Sequence, residues 1–214
     1  MLKVLGKLPR ELAVAVSGGP DSMAILDFLS NNHDVTAVYF DHGTDFGKKC
    51  KRFVKNFCDN KNIPFVIGVN YNDCPPHKSL EEHWRDERYK FLHSFEMPIV
   101  TGHNLDDVIE WFLFSSIHGA GKVMPHNNKN VIRPFISTSK RSLEDWCERK
   151  EVPFLVDPAN ADRKFMRSII RHDIMPHARR VNQGLEKTFR KLVEKEYSNL
   201  GNTEKDLTHN QNML

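Results

Sequence analysis

Near its start the chain runs Glu11-Leu12-Ala13-Val14-Ala15-Val16-Ser17-Gly18-Gly19-Pro20-Asp21-Ser22-Met23-Ala24-Ile25-Leu26. The apolar run Glu11–Val16 predicts a strand, and the pattern from Asp21 to Ser30 predicts a helix. Ser17 to Ser22 joins them, where free backbone N–H groups and the helix dipole favour an anion. Gly18 and Gly19 allow close approach, and Ser17 and Ser22 add hydroxyl donors. Pro20 in the first turn gives up only an N–H that has no intrahelical partner. The stretch has neither the Gly-Lys-[Ser/Thr] ending of a Walker loop nor G-x-G-x-x-G, so an ordinary P-loop or a dinucleotide site is not supported. A plain tight turn is the bland alternative.

Outward from this loop the alternation continues. Strands are predicted at Val35–Asp41, Pro64–Asn70 and Pro98–Thr101, and helices at Lys48–Lys61, Leu80–Phe95 and Asn104–Ile117. Such alternation implies an α/β fold, a parallel twisted sheet with helices on both faces. After Gly119 come loops, an extended Val131–Phe135, and helices near Ser139–Lys150, Met166–Arg179 and Asn182–Tyr197. The predicted division is a catalytic domain over 1–135, a basic helical extension over 136–198 that completes it, and a frayed tail over 199–214.

With 214 residues, 39% hydrophobic and 28% charged, the chain is neither disordered nor collagen-like in composition. Its apolar runs fall far short of the ~20 residues that cross a bilayer. Glu11 and the Ser-Gly-Gly turn interrupt what would be a signal peptide's apolar stretch, so a cytoplasmic protein is expected. Cys50, Cys58, Cys74 and Cys147 form no C-x-x-C pair, which argues against a zinc ribbon, an iron–sulfur cluster or a disulfide scaffold. Residues 163 to 195 hold ten Lys/Arg against three Asp/Glu, a local charge of +7 that leaves −4 elsewhere. Such an excess is either a phosphate-backbone footprint or a solvated helical face.

On the apolar helix from Asn104 to Ile117, His103, Asp106, Asp107 and Glu110 project onto one arc. Acids on an oily helix need cations. A metal at His103 and Asp107 and a salt-bridge network of all four each satisfy that need. On the preceding helix Arg88 falls amid the face of Trp84, Phe91 and Phe95, with Arg85 at its edge, so these arginines either snorkel or pair inside a site. Asp41-His42-Gly43 closes the second strand at the carboxyl edge where open α/β sheets bind ligands, and His42 contacts nucleotide or caps the strand.

Ser-Gly-Gly-x-Asp-Ser after a first strand resembles the signature of the N-type ATP pyrophosphatases, or PP-loop enzymes, whose fold is adenine-nucleotide alpha hydrolase-like. Within that superfamily the chain is similar to the tRNA(Ile)-lysidine synthetase family. The matching blocks are Val38-Tyr39-Phe40-Asp41-His42-Gly43, Leu80-Glu81-Glu82, Arg85-Asp86-Glu87-Arg88-Tyr89 and Thr101-Gly102-His103-Asn104-Leu105-Asp106-Asp107 through Glu110. They continue with Gly119-Ala120-Gly121, Ile132-Arg133-Pro134-Phe135, Asp157-Pro158-Ala159-Asn160 and Arg171-His172-Asp173-Ile174-Met175-Pro176. The resemblance implies adenylation of the first-anticodon cytidine of tRNA(Ile) with a CAU anticodon, followed by attack of free lysine to form lysidine. AMP and pyrophosphate are released.

The implied ATP site is Ser17, Gly18, Gly19, Asp21, Ser22, His42 and Arg133, with Asp21 as a Mg²⁺ contact. Lysine falls to Arg85, Arg88, Asp107 and Glu110, and catalysis to Asp21, Arg88, Asp107 and Glu110. The RNA backbone falls to Arg167, Arg171, Arg179 and Arg180. Another PP-loop tRNA-modifying enzyme and a non-catalytic ATP- or tRNA-binding module are the competing expectations. Two positions depart from the family: Thr44-Asp45 stands where Leu-Arg is usual, and Ser168 follows Arg167 where Asn is usual. Family members carry further carboxy-terminal domains, so a second copy or a helper protein is an expected substitute grip on the RNA.

Overall fold

The computed structural model describes residues 2–70, 72–158, 163 and 166–211, the side chains of 200–211 excepted. Among them one sheet of six strands has the order β3-β2-β1-β4-β6-β5. The strands are β1 Glu11–Val16, β2 Asp34–Asp41, β3 Phe65–Val69, β4 Ile99–Thr101, β5 Asn127–Asn128 and β6 Val131–Ile132. All pairings are parallel except the small β5–β6 hairpin. The helices between them are α1 Pro20–Ser30, α2 Asp45–Lys61, α3 Leu80–Leu92 and α4 Leu105–Ile117.

Burial follows the two-residue period of β1. Leu12, Val14 and Val16 pack with Met23, Leu26, Val54, Phe57 and Leu143 on one face of the sheet. Ala13 faces the other way, with Val38, Tyr89, Leu92, Ile99 and Val131. Leu12, Leu26 and Leu143 are fully buried, each contributing about 1.5–3 kcal/mol of hydrophobic stabilisation. Gly68 lets α3 lie close to the sheet, since a Cβ there would stand 2.7 Å from the Phe91 ring.

The predicted strands shorten at prolines. Pro98 and Pro134 have no N–H for the ladder, so β4 begins at Ile99 and β6 ends at Ile132. Helix α2 starts at Asp45, three residues before the predicted Lys48, because the Thr44 hydroxyl caps it by accepting from Gly47 N at 3.0 Å. This accounts for the departure at Thr44-Asp45, a cap and a first-turn acid that favour the helix dipole.

The carboxy-terminal helices are α5 Lys140–Lys150, α6 Met166–Ile169, α7 Met175–Val181 and α8 Leu185–Gln211. The single helix predicted over Met166–Arg179 is instead broken by a π-helical turn, Ile170–Ile174, where Met175 N–H bonds Ile170 O. Pro176 in the first turn of α7 supplies the cause, having no N–H to continue an α ladder. Helix α8 runs on past Tyr197, where the sequence predicts its end, since nothing beyond stops a helix except Gly201. It packs on α4 through Phe112 and Phe189, whose ring centroids are 5.1 Å apart. Ala159 and Asn160 of the Asp157 block lie outside the described residues.

Candidate functional site

The Ser17–Ser22 loop caps the carboxyl end of β1, the middle of the parallel array. Ser17 N donates to Ser22 Oγ at 3.1 Å, the two hydroxyl oxygens are 3.2 Å apart, and Ser22 Oγ donates to Gly19 O at 3.1 Å. Gly18 has φ +87°, a left-handed conformation that a side chain would strain. Leu155 N donates to Gly18 O at 2.8 Å, which ties the segment after α5 to the loop. Gly102 backs the loop so closely that a Cβ there would lie 3.4 Å from Ser22 N. At Gly19 no side chain caps α1, so first-turn N–H donors point outward at the loop.

Asp21 sits in that first turn with Oδ1 buried and without a hydrogen-bond partner. Burial raises its pKa to about 7, Asp107 adds to the rise, and Lys140 opposes it. Asp107 reaches about 6, raised by burial and by Glu110, while the Asn104 N–H and Arg171 pull it down. That N–H belongs to a capping box. Asn104 accepts from Asp106 N and Asp107 N, and Asp107 Oδ2 accepts from Asn104 N at 3.0 Å.

The other acids of the arc are paired. Glu110 is buried, and its Oε2 accepts from Arg171 Nε at 2.9 Å and Nη2 at 2.7 Å. Arg171 Nη2 also lies 3.8 Å from Asp107 Oδ1. Asp106 accepts from Lys140 N at 3.2 Å and pairs with Arg179 at 2.5 Å. Asp106 and Glu110 thus each have a cationic partner within the fold. Arg171 and Arg179, expected on RNA, are turned inward onto α4, because an apolar helix bearing buried acids must find cations nearby. Among the described residues no group of three His, Cys, Asp or Glu side chains could hold a metal ion, and His103 Nδ1 lies 2.8 Å from Thr101 Oγ1 instead.

Four arginines gather on aromatic side chains and backbone rather than on acids among the described residues. Arg85 and Arg88 lie 4.8 and 5.8 Å from the Tyr89 ring centroid, and Arg167 lies 5.6 Å from that of Trp111. Arg133 is buried and donates to Tyr89 Oη at 2.9 Å and to Pro125 O at 2.8 Å, so two arms of its fork are engaged away from the loop. Burial and these four arginines hold the His103 pKa well below its ordinary value. His42 stacks on Trp84 at 5.2 Å with Nδ1 buried and unpartnered, and burial with Arg88 lowers its pKa to about 4. Ser168, one of the two departures from the resemblance, is buried, and its hydroxyl has no partner among the described residues.

The structure thus groups Ser17, Gly18, Gly19, Asp21 and Ser22 with Asp107, and Arg85, Arg88, Arg133 and Arg167 together. Arg180 is exposed on α7, apart from both. Sequence reasoning missed Tyr89 and Lys140. The four-residue spacing of Arg85 and Tyr89 carries the first signal, whereas Lys140 reaches the acids only through the tertiary fold.

A model of the PP-loop domain family matches residues 2–178. The tRNA(Ile)-lysidine synthase of Thermosipho africanus is 32% identical over 203 residues, covering 86% of this chain and 47% of that protein. That of Prochlorococcus marinus subsp. pastoris is 30% identical, covering 92% of this chain and 66% of that protein. The chain spans about half the length of several curated relatives it matches. Among solved structures, the NH3-dependent NAD synthetase of Campylobacter jejuni superposes with a TM-score of 0.51 at 12% identity, covering 91% of this chain and 86% of that one.

Proposed function

This chain belongs to the PP-loop domain family, and we propose that it is an ATP-dependent ligase of tRNA modification, joining free lysine to the first-anticodon cytidine of tRNA(Ile) bearing CAU. The observation that carries this is one loop with unbalanced charge of both signs beside it. Asp21 and Asp107 lack a full counter-cation, and Arg85, Arg88 and Arg167 meet no carboxylate within ion-pair distance among the described residues. A substrate set with phosphates and an amine neutralises both.

In this reading Ser17, Gly18, Gly19 and Ser22 hold ATP phosphates by backbone and hydroxyl donors, and neutral His42 contributes its free Nδ1 to the nucleotide. The unpartnered Oδ1 of Asp21 fits a cation, and Mg²⁺ held there would offset charge on the phosphates. The cytidine C2 oxygen attacks the α-phosphorus and pyrophosphate leaves; the lysine ε-amine, having given one proton to solvent, then attacks C2, the C2–O bond breaks with AMP leaving, and the new C–N nitrogen releases a second proton to solvent. Arg88 and Arg85 take the lysine carboxylate. Asp107, ionised above a pKa of about 6, accepts from its ammonium beside Glu110. Residues 1–135 form the catalytic domain and 136–198 complete it, in the cytoplasm.

For the RNA backbone the exposed cations are Arg180 and, at four-residue spacing along one face of α8, Lys187, Lys191 and Lys195. Arg167 stays available near the site, while Arg171 and Arg179 serve α4. Because Arg171 already occupies Glu110, a binding module without turnover is the second reading. Incubation with ATP, Mg²⁺, lysine and the tRNA separates the two. The ligase releases pyrophosphate only when tRNA is present and AMP only when both tRNA and lysine are present; release of ADP and phosphate, or no cleavage, contradicts it.

A further inference from the structure

Arg85, Arg88 and Tyr89 share two turns of α3, and Arg133 reaches the same tyrosine from the end of β6. Two guanidinium groups lie by the ring at 4.8 and 5.8 Å, and the third donates to the hydroxyl at 2.9 Å. Tyr89 is buried, as is Arg133, whose Nε has no partner. Among the described residues none of the three arginines has an acid within ion-pair distance. Arg85 is exposed, Arg88 half-buried and Arg133 buried, and like charges gathered there repel, so something must hold them together. The electron-rich ring face and the phenolic oxygen are the groups that do so.

The cluster also has a direction. Arg88 is near enough to depress the titration of His42, after β2, and of His103, after β4. Those strands flank β1, whose end carries the Ser17–Ser22 loop. With His42 beside Trp84 of α3 at 5.2 Å and Arg133 following β6, the arginines lie near the strand ends that flank the loop.

We propose that Tyr89 is a positioning residue, holding Arg85, Arg88 and Arg133 as one fan whose shared charge draws a phosphate group of the substrate beside the lysine carboxylate that Arg85 and Arg88 take. This rests on the reading of the site as one for ATP and RNA, since the phosphate belongs either to the nucleotide or to the RNA backbone next to the reacting base. Tyr89→Phe keeps the ring and loses only the bond from Arg133; Tyr89→Leu loses both. Binding of inorganic pyrophosphate, of a CAU anticodon stem-loop RNA and of adenosine is measured by calorimetry on the full chain and both variants. Adenosine, which has no phosphate, reports whether the rest of the site is intact.

Tyr89→Phe is expected to weaken the phosphate-bearing probe about three- to tenfold, and Tyr89→Leu about thirtyfold or more, with adenosine unchanged. Loss confined to pyrophosphate assigns the fan to the nucleotide; loss confined to RNA assigns it to the backbone. Unchanged binding of both probes by Tyr89→Leu, or a parallel loss of adenosine in Tyr89→Phe, overturns the proposal. Because no turnover is read, a parent protein that makes no AMP but shows these losses would remove the ligase reading and keep the fan.

Discussion

Asp21 follows the Ser17–Gly19 turn with a buried carboxyl oxygen that bonds to none of the described residues. An acid whose folded pKa, here about 7, lies above its unfolded value near 4 takes up a proton on folding. The fold is therefore penalised progressively as pH rises through that window, and fully above it. Asp21→Asn should raise stability at pH 8 by about 2–4 kcal/mol, with the gain vanishing near pH 4, while turnover is lost. Calorimetric melting at both pH values with an ATP-cleavage assay checks this; lower stability at pH 8 with activity retained would make Asp21 purely structural. Glu110→Gln removes the charge held by Arg171. Since Arg171 is 40% exposed, the expected stability loss is about 1–3 kcal/mol, below that for a wholly buried pair. The lysine KM should rise with ATP binding nearly intact, and an unchanged KM would take Glu110 out of the lysine site. Asp21 was legible in the sequence because loop and helix start are local. The Glu110–Arg171 pair spans 61 residues and was not, because helix periodicity gives the face of an acid and not the partner that meets it.

Among the elements, α2 and the π-helical turn depart most instructively from what the sequence predicts. Periodicity placed β1, β2, α4 and α5 within a residue or two, since each buries a regular face. The start of α2 depended on a single hydroxyl, and the Thr44 cap shifted it by three residues. Thr44→Ala should cost about 1 kcal/mol, read from the urea midpoint, with ATP affinity unchanged. A weakened ATP affinity would tie this corner to the site. At Met166–Arg179 the apolar pattern continued through Pro176, which hid the break, and Arg171 lies in that turn. Its pairing with Glu110 is thus a consequence of a wide turn that a helical period of 3.6 does not encode.

At the scale of the molecule, charge is sorted. Acids gather on the amino-terminal half of α4, Arg85, Arg88 and Arg167 meet no acid among the described residues, and exposed lysines line α8. If Arg180, Lys187 and Lys191 contact the RNA backbone, replacing all three by Ala should reduce the slope of log K against log salt by roughly two to three, at unchanged ATP affinity. An unaltered slope would move the RNA to another face. In the proposed reaction, release of AMP leaves the identity of the acceptor open. The most direct measurement is mass spectrometry of tRNA(Ile) with a CAU anticodon after incubation with the protein, ATP, Mg²⁺ and lysine. A first-anticodon cytidine heavier by one lysine less one water is the predicted result; an unmodified cytidine on a tRNA that remains bound would contradict it.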